Sequence, residues 1–233
     1  MKIEFFNTYE GVLEEYPIAP IREALPKWVS VARKDYVAKK NTRENHIFRC
    51  SGIAELYKVG YTVRAWHDLR IEANDNSVRW MLPNEEAIGK TAVTSHTGDA
   101  AAKFIPKRPW SSKTILKLNT PWNVVSPVKL LVIPISYPDS YEFESCPGIL
   151  DSSISTEVNI QLYINSVGKN FVIEAGTPLC HIIPMYDDEI TMSQRNATES
   201  DKKWLAKKFF ITNSTFNYNI QRVRRAFTQH FFK

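Results

Sequence analysis

The sequence predicts a mainly β protein, with an irregular arm before the β domain and a helical segment after it. Three observations carry that reading. Val158, Ile160, Leu162 and Ile164 alternate with Asn159, Gln161, Tyr163 and Asn165, the period of two that marks a strand with one buried face. Aromatics make up 12% of the chain and 13 Pro stand against 8 Gly, a mix suited to short strands joined by proline-punctuated connections. Near the C-terminus the period changes, and Ile220, Val223, Phe227 and Phe231 recur at helical spacing.

In chain order, residues 1–46 read as an arm. Pro17, Pro20 and Pro26 interrupt it, residues 21–25 have room for one turn, and 32–45 are charged enough to face solvent. The β domain spans residues 47–190. It opens with a short helix over 52–58, capped by Ser51 and ended by Gly60. Residues 61–66, 69–73 and 78–82 read as strands, with Asn74-Asp75-Asn76 as a hairpin turn between the last two. The turn-rich stretch 83–112 is expected to be a long loop or crossover. Strands follow over 114–118 and 130–135, then over 158–165, 171–173 and 179–185. The turns Ser166-Val167-Gly168-Lys169 and Gly176-Thr177-Pro178 separate the last three. Residues 191–233 form the C-terminal segment, with helices expected over 200–210 and 220–232.

At 233 residues, with 43% hydrophobic and 24% charged, the chain can bury a sizeable core and is not expected to be disordered. No apolar run approaches the roughly 18 residues of a membrane span, and the N-terminus lacks the apolar stretch of a signal peptide. The cytoplasm, or a particle assembled there, is the expected location. Cys50, Cys146 and Cys180 are odd in number without Cys-x-x-Cys spacing, which favours free thiols.

The net charge of +5 is unevenly placed. Lys202, Lys203, Lys207, Lys208, Arg222, Arg224, Arg225 and Lys233 give residues 202–233 eight cations and no carboxylate, leaving 22 basic against 25 acidic residues before them. Eight aromatics, Phe227 and Phe231 among them, share that tail. Such a segment can stack on bases and neutralise phosphates, or it can pack its aromatics against the body or a neighbouring subunit. Packing is the expected outcome, because bulky aromatics left exposed are a liability.

The segment Pro147-Gly148-Ile149-Leu150-Asp151-Ser152, the alternating strand, and the run Phe171-Val172-Ile173-Glu174-Ala175-Gly176-Thr177-Pro178-Leu179 resemble the deoxyuridine triphosphatase family. The resemblance lies within 113–190 and implies a β-clip or jelly-roll-like barrel, a homotrimer, and a catalytic role for Asp151, which matches the family's water-orienting aspartate. The surroundings depart from the family. Ile154 replaces its stacking tyrosine, Thr156 a glycine and His181 a glutamine. Thr62 stands where the first motif has aspartate, and the phosphate-binding Arg-Ser-Gly motif and glycine-rich C-terminal arm have no counterpart. The opening Lys2-Ile3-Glu4-Phe5-Phe6-Asn7, Arg49-Cys50 before Gly60-Tyr61, and Leu118-Asn119-Thr120-Pro121-Trp122-Asn123 resemble proteins of tailed bacteriophages. That likeness places the chain in the host cytoplasm or the virion.

Other chemistry finds little footing. In Trp66-His67-Asp68 an oriented imidazole would need neighbours on one strand to share a face, which alternation forbids. The same geometry makes His181 beside Cys180 a core histidine. The five histidines lack ligand spacing, and the acidic turn Asp187-Asp188-Glu189 is expected to be solvated, so no metal or cofactor is expected. The expected function is therefore non-catalytic: a phage accessory or virion-associated structural protein, oligomerising through its termini and meeting other virion proteins. The alternative is a nucleotide-binding or nucleotide-hydrolysing relative of deoxyuridine triphosphatase. A third reading is a nucleic-acid-binding accessory that uses the tail.

Overall fold

A computed structural model describes residues 1–38, 46–83, 92–96, 108–186, 188–213 and 220–232. The described elements begin with β1 (Lys2–Asn7), α1 (Val12–Glu15), β2 (Ala19–Pro20), α2 (Lys27–Ala38) and α3 (Ser51–Leu56). Next come β3 (Tyr61–Arg64), β4 (Leu69–Ala73), β5 (Val78–Met81), β6 (Val93–His96), β7 (Ile115–Val125), β8 (Leu130–Ile133), β9 (Phe143–Ser145) and β10 (Gly148–Leu150). Last are β11 (Glu157–Ile164), β12 (Asn170–Ile173), β13 (Pro178–Pro184), β14 (Thr191–Asn196), α4 (Glu199–Asn213) and α5 (Ile220–Phe231). The protein is mainly β, as the periodicity predicts.

The fourteen described strands form three sheets. A six-stranded sheet runs β14-β1-β7-β11-β9, with β6 also pairing β7; a five-stranded sheet runs β10-β8-β13-β3-β2; a three-stranded sheet runs β12-β4-β5. Each sheet ends in edge strands, and none closes into a barrel among the described residues. The main core lies between the sheets. Val158, Ile160, Leu162 and Ile164 of β11 all point into it, beside Trp122 and Val124 of β7 and Leu179, Cys180 and Ile182 of β13. Gly60 has φ of +91°, and a Cβ there would meet the Ile182 carbonyl oxygen at 2.3 Å, so only glycine admits β13 so close.

Several elements depart from the sequence expectations. The arm begins with a full strand: β1 runs parallel to β14 and antiparallel to β7, tying both ends of the chain into one sheet. Ile3 and Phe5 enter the main core, while Phe6 faces the opposite side. Residues 39–45 of the charged stretch lie outside the described set, and residues 27–38 form a 12-residue helix, α2, whose buried residue is Val29. Its first amide donates to the Asp139 carboxylate (2.9 and 3.0 Å), a cap from 112 residues away. Ser51 begins α3 rather than capping it; Cys50 holds that position with no side-chain hydrogen bond. β7 continues through Asn119-Thr120-Pro121-Trp122, because no ladder bond needs an amide at Pro121. On one edge Pro121 falls between the pairing with β6 and the pairing with β1, and on the other at the register shift between Glu157 and Asn159 of β11. Of the expected loop 83–112, residues 93–96 form β6, and residues 84–91 and 97–107 lie outside the described set.

α4 begins at a reciprocal cap. The Thr198 amide donates to Asp201 Oδ2 (2.7 Å), and the Asp201 amide donates to Thr198 Oγ1 (3.3 Å). Arg195 at the end of β14 donates to both Asp201 and Glu4, fastening the helix to β1. α4 and α5 then cover the outer face of the six-stranded sheet, where Phe6, Val125, Trp204, Ala226 and Phe227 make a second core. No described helix is long and apolar enough to cross a membrane.

Candidate functional site

Asp151 follows β10 and opens a tight turn. Its carbonyl accepts from the Ile154 and Ser155 amides at 2.9 and 3.0 Å, and its Oδ1 accepts from the Ser153 amide at 3.1 Å and from the Ser153 hydroxyl. The turn is locked to the end of β7, since Ser152 Oγ accepts from the Ser126 amide and donates to the Ser126 carbonyl (3.0 and 2.8 Å). A cavity of about 370 Å³ adjoins it, lined in part by Lys117, Cys146, Asp151, Ile154 and Glu157. Ile154, in the place of the family's stacking tyrosine, is one of its walls.

The tail meets this turn. Arg224 of α5 donates to Asp151 Oδ2 at 3.1 Å. Lys208 of α4, 7% exposed, donates to Ser155 Oγ at 2.9 Å and pairs with Glu157 at 3.1 Å. Burial pushes the Asp151 carboxyl up, but the Ser153 hydroxyl and amide and the Arg224 guanidinium outweigh it and hold the group below its ordinary value. The one catalytic candidate is thus an anchor for the tail.

The remaining tail residues separate by side. Phe227 is 2% exposed, and Phe231 packs partly buried against Trp204 with ring centroids 5.5 Å apart. Lys202 is exposed and paired with Glu199 at 2.7 Å, and Lys203, Lys207, Arg222 and Arg225 are also exposed. Lys233 lies outside the described residues. Among the described residues of the tail, Trp204, Phe227 and Phe231 therefore face the body, Phe232 is exposed, and most of the cations face outward.

Two of the histidines contact backbone carbonyls. His181 is buried and its Nε2 lies 2.6 Å from the Val59 carbonyl; burial holds its pKa below the ordinary value despite that bond. His67 Nδ1 sits 2.9 Å from the Asp68 carbonyl, whereas the Asp68 carboxylate accepts from the Ala175 amide at 2.8 Å, so the two side chains form no catalytic pair. All three cysteines are free; burial raises Cys146 to about 11 and Cys180 to about 12, which makes both poor nucleophiles. Among the described residues, no group of three or more His, Cys, Asp or Glu could hold a metal ion, and Asp187 of the acidic turn lies outside them.

A second cavity, of about 350 Å³, opens between the two larger sheets beside Arg64, Phe143 and Ser145. Sequence reasoning passes over these residues, because Arg64 sits inside an ordinary strand pattern and β9 is only three residues long. No local signal marks them; the site exists only once β9, β13 and the arm converge. No protein-family model matches the chain, and no curated protein matches it either.

Proposed function

We propose that the protein is a non-catalytic accessory or virion-associated structural protein. In this reading it is built on a β-clip or jelly-roll-like domain and assembles, as a trimer or with neighbouring virion proteins, around its termini. One observation carries the non-catalytic part: both oxygens of the Asp151 carboxylate already have partners within the chain, Ser153 on Oδ1 and Arg224 on Oδ2. A general base must turn a free lone pair toward water, and these bonds, two on Oδ1 and one on Oδ2, occupy most of the carboxylate's acceptor sites. A carboxylate held below its ordinary pKa is also a weaker base. The phage setting rests on the resemblance of residues 2–7, 49–61 and 118–123 to tailed-phage proteins, and the β-clip kinship on the pattern within 113–190.

The cavity beside Asp151 favours the second reading, a relative of deoxyuridine triphosphatase that still binds or hydrolyses a nucleotide. Incubating the purified protein with deoxyuridine triphosphate and magnesium separates the two. The expected result is no pyrophosphate release above the protein-free control. Release that disappears in Asp151→Asn overturns the proposal. Arg224→Ala belongs beside it, because it frees the carboxylate without altering it. Activity appearing only in Arg224→Ala would mean that the tail masks a working site.

A further inference from the structure

The two larger sheets part at one end, and the gap is furnished. Phe143 and Ser145 lie two apart on β9, opposite Ile164 and Leu162 of β11, so both share the inward face that those core residues define. Leu179 at the start of β13 and Ile135 just beyond β8 stand across from them, with Leu25 and Pro26 of the arm at the side. The walls are apolar and the volume, about 350 Å³, falls within the range of small-ligand sites.

Among the polar residues that interrupt this lining, two have hydrogen-bonding capacity to spare. Ser145 is 1% exposed, yet its Oγ has no hydrogen-bond partner. A buried hydroxyl left unsatisfied is destabilising and uncommon, so one that lines a cavity points to a missing partner. Arg64, half-buried at the rim, donates to the carbonyls of Gly176 (3.4 Å) and Glu23 (3.2 Å), and no described carboxylate pairs with it. Those two bonds leave other guanidinium N–H groups available.

Three acidic residues also line the cleft, Glu23, Asp139 and Glu144, but none of their carboxylates pairs with Arg64. Asp139 accepts from the Lys27 amide, and Glu144 binds Arg108 and the Asn165 side-chain amide. Glu23 holds Arg64 by its carbonyl, and its side chain faces solvent. The wall opposite the arm is fixed in place. Trp28 Nε1 donates to the Tyr137 carbonyl (2.9 Å) and Tyr57 Oη to the Ser136 carbonyl (2.7 Å), holding Tyr137 at φ of +49°, a strained value for a tyrosine.

We propose that this cleft binds a small organic anion with an apolar ring as its body. The ring lies between Phe143, Ile135 and Leu179, a hydroxyl or carbonyl on it meets Ser145 Oγ at the floor, and the anionic group meets Arg64 at the rim. This site lies apart from Asp151 and does not depend on catalysis there.

6-Hydroxy-2-naphthoate, with a hydroxyl and a carboxylate at opposite ends of a rigid bicycle, is the probe, and 2-naphthol is its uncharged control. Isothermal titration should show the wild-type protein binding both, the anion more tightly. Arg64→Gln should weaken the anion by about ten-fold, the worth of one charge-assisted bond, and leave 2-naphthol unchanged. Ser145→Leu should abolish both by filling the floor. Should that variant fail to fold, amide shifts in the wild-type protein decide instead, and they should move at Phe143, Ser145, Thr177 and Leu179. Absence of binding at millimolar probe, affinity indifferent to Arg64→Gln, or shifts confined to the Asp151 cavity would each overturn the proposal.

Discussion

Ile160 sits 1% exposed in the middle of β11. Alanine there removes buried methyl groups and leaves a void that close-packed neighbours cannot fill, so Ile160→Ala should destabilise by roughly 2–5 kcal/mol. Urea denaturation should report it as a lower midpoint with an unchanged slope. Its neighbours Asn159 and Gln161 lie on the other face, where alanine should change little. This face assignment is legible in the sequence because the period of two survives unbroken for eight residues, and a slip by one would exchange the faces. His181 is legible too, as a histidine inside an apolar strand. Asp201 is not. It looks like one of several tail polar residues, yet it is 2% exposed, caps α4 and receives Arg195. Asp201→Asn keeps the shape but loses the ion pair, and should lower stability by roughly 1–3 kcal/mol in the same assay.

The C-terminal helices are held by two kinds of contact, and each can be tested at the level of the element. The first is apolar: Trp204 and Phe227 close over Phe6 and Val125. Phe227→Ala should detach α5, at roughly 3–5 kcal/mol for a buried aromatic, with little dependence on moderate salt. The second is ionic. Burial alone would raise the carboxyls of Glu4, Asp151 and Asp201, but Arg195, Arg224 and their hydrogen-bonding neighbours leave all three below their ordinary values. Groups lowered by folding contribute stability that is present above their unfolded pKa and lost as pH falls through the folded one. The tail should therefore loosen as pH drops below about 4, and hydrogen exchange across α4 should rise there and rise less steeply in Asp201→Asn. While the cap that starts α4 is visible only in the structure, the sequence shows these helices by their spacing. It hides β1 for a related reason: once the tail covers the second face of the sheet, Phe5 and Phe6 are both buried and alternation fails. α2 is hidden because its cap, Asp139, comes from 112 residues away.

For the molecule as a whole, the deciding quantity is where charge remains after folding. The tail brings eight cations to a body that holds 25 acids against 22 bases. Lys208 and Arg224 are taken up inside the chain by Glu157 and Asp151, while Lys202, Lys203, Lys207, Arg222 and Arg225 stay on the surface. With Trp204 and Phe227 closed against its own body, the described part of the tail offers another chain mainly cations, and an acidic body on a second copy is a fitting partner. Assembly of that kind is salt-sensitive, unlike the apolar docking within the chain. Sedimentation should show the oligomer dissociating above about 0.3 M salt, where exposed charges more than a few ångströms apart are screened. Lys203→Glu combined with Lys207→Glu should dissociate it at low salt while the melting temperature stays near that of the wild type, since neither residue is buried. If the cations instead serve nucleic acid, the double variant should leave the oligomer intact. Single-stranded DNA should then bind the wild type with a log–log salt slope of roughly 0.7 per phosphate contact, and that slope should shrink in the variant. Among the described aromatics of the tail, Phe227 and Trp204 are buried and could not stack, which leaves Phe232 as the most exposed ring. An oligomer indifferent to both salt and the charge reversal would sink the assembly reading.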